Sequence, residues 1–193
     1  MSFEHVLLGL LHTPATGYEI KAQFDAKARH MWSAELSQIY PALNRLARRK
    51  LLRVSVEPSR RGPPRRVYRL TATGERALRE WLESPPQVNP ARLPEVARMF
   101  FMANLGDLAR TLAFVHQLRS IYAERLAALE TIETYWSRHD PAFPDALGDQ
   151  PLHELFALRF GIFSYRARLA WCDEVTVRIE ARLGAPASKR KIA

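Results

Sequence analysis

Ten basic side chains stand between Arg45 and Arg69 (Arg45, Arg48, Arg49, Lys50, Arg53, Arg60, Arg61, Arg65, Arg66 and Arg69) against one acid, Glu57, so this segment holds the whole formal net charge of +9. A chain that is otherwise neutral and bears one dense cationic strip presents a surface aimed at a polyanion. Leu46, Leu51, Leu52, Val54, Val56, Val67, Tyr68 and Leu70 interrupt the charges, which fits a folded element better than a solvated arm. Just upstream and within the strip stand Ser37, Gln38, Tyr40, Asn44, Arg45 and Arg48. Their hydroxyl, amide and guanidinium groups match base edges and phosphate oxygens. Arg60, Arg61, Arg65 and Arg66 crowd around a single bend, where like charges repel unless an anion neutralises them.

Other chemistries find little support. His5, His12, His30, His116, His139 and His153 are scattered, and no HExxH, CxxC, GxSxG, phosphate-loop or dinucleotide fingerprint occurs. Neither an enzyme nor a metal site is expected, and no cofactor. The single cysteine, Cys172, excludes an internal disulfide and reads as a small packing residue, consistent with a reducing, cytoplasmic setting. The richest apolar region, Leu152 to Leu183, is broken by Arg159, Arg166, Arg168, Asp173 and Glu174, so no membrane span is expected. Glu4 and His5 precede the first apolar run, which reads poorly as a signal peptide.

The elements that must hold the cationic strip follow from spacing. Phe3 to Leu11 predicts a short buried helix ended by Thr13-Pro14-Ala15-Thr16-Gly17, and Tyr18 to about Arg29 a second. A third runs from Ser37, its expected N-cap, to Arg49, with Ile39, Leu43 and Leu46 inward and the polar readers outward. Leu52 to Val56 and Arg66 to Leu70 alternate as two strands around a turn-rich tip, Glu57 to Arg65. Thr71 or Thr73 starts a fourth helix carrying Leu78, Trp81 and Leu82. The expected fold is mainly α: an N-terminal winged helix-turn-helix with a two-stranded β wing over residues 1–84, a Pro-rich linker over 85–94, and a C-terminal α-helical dimerisation domain over 95–193. A helix of about 10 to 12 Å diameter enters the roughly 12 Å major groove, so double-stranded DNA is the expected polyanion.

In the second domain Pro94 to Asn104 predicts a short helix, Asp107 caps a long one to about His139, and a last helix runs from Leu152 to Leu183. Leu155, Leu158, Ile162, Tyr165, Leu169, Cys172, Ile179 and Leu183, with Thr176 between Cys172 and Ile179, repeat at threes and fours as a coiled-coil seam. Such a long helix is expected to dimerise through that seam, the alternative being a bundle that closes on itself. Phe156, Phe160, Phe163 and Trp171 widen the apolar surface beyond it.

Taken in order, Leu7-Leu8-Gly9-Leu10-Leu11, Gly17-Tyr18-Glu19-Ile20, Ile39-Tyr40-Pro41-Ala42-Leu43-Asn44-Arg45-Leu46 and Arg65-Arg66-Val67-Tyr68-Arg69-Leu70-Thr71-Ala72-Thr73-Gly74 resemble the PadR family of transcriptional regulators over about residues 3–83. The resemblance implies a homodimeric repressor on a palindromic operator, and, in many members, release by a small aromatic or drug-like effector whose binding residues the sequence leaves unassigned. One departure stands out: the family often has glycine after the recognition helix, and here Lys50 or a neighbour must serve. The competing reading is a basic nucleic-acid-binding or architectural protein that reads no sequence.

Overall fold

A computed structural model describes residues 3–28, 34–58, 64–87 and 92–184, and the chain divides into two units, Met1–Asn89 and Pro90–Ala193. In the first, α1 (Phe3–Leu10) buries Leu7 and Leu8, and a two-residue strand, β1 (Ala15–Thr16), leads into α2 (Gly17–Gln23). Thr16 caps α2: its hydroxyl accepts from the Glu19 N–H at 3.2 Å while the Glu19 carboxylate accepts from the Thr16 N–H at 2.6 Å. These bonds, first the backbone one, hold the Glu19 carboxyl below its ordinary pKa. The second helix is shorter than its periodicity predicts, because from Phe24 to Ala28 the backbone widens into a π-helical turn.

The third helix, α3 (Leu36–Arg48), buries Ile39, Ala42, Leu43 and Leu46. Its N-cap is Glu35 rather than Ser37, and Gln38 closes that end by accepting the Glu35 N–H at 3.1 Å. At the other end Lys50 takes the left-handed conformation, φ 59°, in place of a glycine. The Leu51 N–H then reaches the Leu46 carbonyl at 3.0 Å and the Lys50 N–H the Ala47 carbonyl at 2.9 Å, a Schellman closure. Strands β2 (Leu52–Glu57) and β3 (Arg65–Leu70) pair antiparallel from Leu52 opposite Leu70 to Glu57 opposite Arg65. The sheet has three strands rather than two, in the order β1-β3-β2, since Ala15 and Thr16 pair with Tyr68 and Val67. Thr71 caps α4 (Ala72–Glu83), accepting from the Gly74 N–H at 3.1 Å, and its hydroxyl donates to the Lys50 carbonyl at 2.8 Å. The helix start is thereby fixed to the turn that follows α3. One core gathers these elements around Leu7, Ile20, Phe24, Ile39, Leu46 and Tyr68.

In the second unit α5 (Pro94–Phe101) runs into a short 3-10 turn, and Gly106 at φ 61° reverses the chain before α6 (Leu108–His139). The Asp107 carboxylate accepts from the Ala109 and Arg110 N–H groups at 2.9 and 3.2 Å, the cap its position predicts. The last helix, α7 (Asp149–Gly184), starts three residues earlier than its apolar pattern. Antiparallel packing of α6 and α7 is registered by Arg119 to Asp173 at 2.6 Å, Arg159 to Glu133 at 2.8 Å and Arg166 to Glu130 at 2.6 Å. Exposed pairs of this kind contribute at most about 1 kcal/mol each, so they set register more than stability.

The seam of α7 is where expectation and structure part. Leu158, Ile162, Tyr165, Cys172 and Ile179 are buried together with Val115, Leu118, Tyr122 and Leu129 of α6, with Leu169 and Leu183 packed alongside. Leu155 is buried as well. The periodicity marks a real seam, and α6 of the same chain packs against most of it, burying Leu158, Ile162, Tyr165, Cys172 and Ile179 and leaving Leu169 and Leu183 partly exposed. The apolar side chains that α7 leaves more than half exposed include Phe156, Phe160, Phe163 and Val177.

Candidate nucleic-acid interface

At 3.6 residues per turn, the line of α3 opposite its buried face passes through Ser37, Pro41, Asn44 and Arg48. Ser37, Pro41 and Arg48 are exposed and Asn44 is half-buried. This crest carries one hydroxyl, one carboxamide and one guanidinium, with the proline ring as an apolar member, and all four types can address groove edges of a duplex. Pro41 escaped the sequence reading because proline in the first turns of a helix is explained by its missing N–H alone.

The other predicted readers fall on the flanks, and each is partly occupied. Gln38 uses its carbonyl oxygen in the N-terminal cap, leaving its amide N–H groups outward. Arg45 and Arg49 converge on one carboxylate: Arg45 Nε lies 2.9 Å from Glu4 Oε1 and Arg49 Nη1 lies 2.7 Å from Glu4 Oε2. Glu4 is the better shielded partner, its side chain 19% exposed against 48% for Arg45 and 62% for Arg49. Two cations and one anion leave this flank with one net positive charge instead of two. No local pattern could reveal it, since Glu4 and Arg45 are 41 residues apart in the chain.

Tyr40 occupies the opposite flank. Its ring lies over Gly17, where a Cβ would come within 2.6 Å of the ring carbons and 2.9 Å of the hydroxyl oxygen. Tyr18 meets it edge-on with ring centroids 6.4 Å apart. Burial, then the neighbouring Tyr18 and Tyr68, push the Tyr40 phenol above its ordinary pKa, so it keeps its proton at neutral pH.

The wing supplies further cations. Arg65 and Arg66 are exposed on β3, and the Arg66 guanidinium sits 5.8 Å from the Tyr68 ring centroid. Arg69 is tied to Glu57 at 3.1 Å. Arg60 and Arg61, which the sequence assigns to the wing tip, lie outside the described residues. Among the described residues, no group of three or more His, Cys, Asp or Glu side chains is arranged to hold a metal ion, and no helix is long and apolar enough to cross a membrane.

Comparison with known proteins gives these features a context. Residues 6–80 match the family described as Transcriptional regulator PadR-like, and residues 94–180 match Virulence activator alpha C-term. The Negative transcriptional regulator PadR of Bacillus subtilis (strain 168) is 29% identical over 100 residues, 51% of this chain and 52% of that protein. The match thus spans about half the length of this curated relative. Among solved structures, the Vibrio cholerae virulence activator AphA is 28% identical with a TM-score of 0.74, covering 94% of this chain and 99% of that one. Bacillus subtilis PadR in complex with operator DNA superposes with a TM-score of 0.78 at 20% identity, over 91% of this chain and 96% of that one. The same protein, solved in complex with p-coumaric acid, gives 0.68 at 21% identity over 92% and 94%.

Proposed function

We propose, from the match of residues 6–80 to the PadR-like family of transcriptional regulators, that the chain is a sequence-specific DNA-binding regulator, a homodimeric repressor whose affinity for a palindromic operator falls when a small aromatic effector binds. The observation that carries the reading is the exposed crest of α3, where Ser37, Pro41, Asn44 and Arg48 stand outward above a fully buried opposite face. A cationic strand edge, Arg65 and Arg66, accompanies it. Such an arrangement separates two tasks: base edges are read by the helix crest, and phosphates are neutralised by the arginines that flank it. An architectural protein needs the second and has no use for the first.

Dimerisation is supported by the exposed phenylalanines of α7, and it would place two crests on half-sites one helical turn, about 34 Å, apart or a multiple of that. The effector clause is supported by the Bacillus subtilis relative solved with p-coumaric acid. A competition assay tests the reading. A fragment selected from a random duplex pool should resist displacement by unrelated DNA at physiological salt, and Asn44→Ala should change which fragments are selected. Equal displacement by any duplex would leave the architectural reading standing instead. Titrating phenolic compounds into the complex tests the effector clause separately, with loss of DNA affinity as the expected result.

A further inference from the structure

The β1–β3 register extends one step beyond its last bridge. Ala15 faces Tyr68 and Thr16 faces Val67, so Gly17 comes next to the position of Arg66. Arg66 and Tyr68 alternate onto the same face of β3, in agreement with the guanidinium lying over the Tyr68 ring. The Tyr40 hydroxyl stands where a side chain on residue 17 would begin. Tyr18, 69% exposed, brings a second phenol to the edge of the Tyr40 ring. The Tyr68 hydroxyl, buried beneath, has no hydrogen-bond partner. Two phenols, from α2 and α3, and the Arg66 guanidinium of β3 thus gather around Gly17, with the Glu19 carboxylate, which accepts the Thr16 N–H, as the neighbouring acid.

We propose that Tyr40, Tyr18 and Arg66, gathered around Gly17, form a seat for one phosphate of the DNA backbone, the two phenols donating hydrogen bonds and Arg66 supplying the charge. This rests on the DNA-binding reading above and assigns Tyr40 a role distinct from base readout. Gly17 is required because any Cβ there would displace the Tyr40 ring. The protonated state favoured by Tyr40's surroundings suits a donor to an anionic oxygen.

The test is the affinity of the full chain for two unrelated mixed-sequence duplexes, measured by fluorescence anisotropy across a salt series, with urea unfolding as a control for folding. Tyr40→Phe keeps the ring and loses the donor, so both duplexes should weaken by about tenfold. The salt slope should stay unchanged, because a neutral hydroxyl releases no counterion. Arg66→Ala should weaken both duplexes and flatten the slope by about 0.9. Gly17→Ala, which retains the hydroxyl but moves it, should resemble Tyr40→Phe; Tyr18→Phe gives a smaller loss of the same kind. Tyr40→Phe within twofold of the wild type, or a change that favours one duplex over the other, overturns the seat while the regulator reading stands. A wild-type chain that binds no duplex overturns both.

Discussion

Among the described residues, Lys50 is the one whose conformation is most at odds with its type. A left-handed φ costs an L-residue about 1–2 kcal/mol, and Lys50 adopts φ 59° to let Leu51 close α3 onto Leu46. Lys50→Gly should therefore raise the urea midpoint, through a stability gain of up to about 1.5 kcal/mol once glycine's larger chain entropy, about 0.5–1 kcal/mol, is subtracted. A lowered midpoint would mean that the lysine side chain makes a compensating contact. Tyr122 is the corresponding residue in the second unit: it is buried, and its hydroxyl donates to Glu95 at 3.2 Å. Burial first, and Glu95 second, push this phenol from 10.0 up to about 12. Between those pH values the folded chain keeps a proton that the unfolded chain releases, so this contribution is intact below pH 10 and lost as pH rises toward 12. Unfolding of Tyr122→Phe followed from pH 9 to about 12 should show a shallower alkaline decline than the wild type; parallel curves would remove Tyr122 from the account.

Elements impose constraints that single residues do not announce. The pairing of α1 with α3 through Glu4 neutralises part of the cationic strip from within, and Glu4→Gln should release it. The expected result is tighter binding to every duplex at low salt and a slope steeper by up to about 0.9, for a stability loss of about 0.5–1 kcal/mol. An unchanged slope would show that Arg45 and Arg49 already engage phosphate despite Glu4. The sequence makes α1, α3, the β2–β3 hairpin, α4 and the long helices legible, because each has its own period and its own punctuation. What escapes it is set by distant partners. Ala15–Thr16 reads as a helix breaker until Tyr68 and Val67 are beside it, and Ser37 looks a better cap than Glu35 until Gln38 folds back. The crest of α3 could be counted out from Ile39, Leu43 and Leu46, but the occupied flanks could not.

For the whole molecule the main question is which apolar surface serves the partner. Periodicity states that the stripe from Leu155 to Leu183 is covered, and is silent on whether by α6 or by a second chain. The two surfaces separate by mutation. Ile162→Ala, in the α6–α7 core, should destabilise the chain by about 2–5 kcal/mol at any protein concentration. Phe160→Glu, on the exposed face, should leave the fold intact and shift the mass in sedimentation from dimer to monomer. A Phe160→Glu chain that remains dimeric places the interface elsewhere. Dimerisation matters to the function because a second, tethered crest converts a weak module into a specific one. The most direct measurement is therefore a hydroxyl-radical footprint of the full chain on the DNA upstream of its own gene. The account predicts two protected half-sites related by a dyad, with centres about 10–10.5 base pairs or a multiple apart. Protection spread evenly along the fragment, or none until every duplex is bound alike, would contradict it.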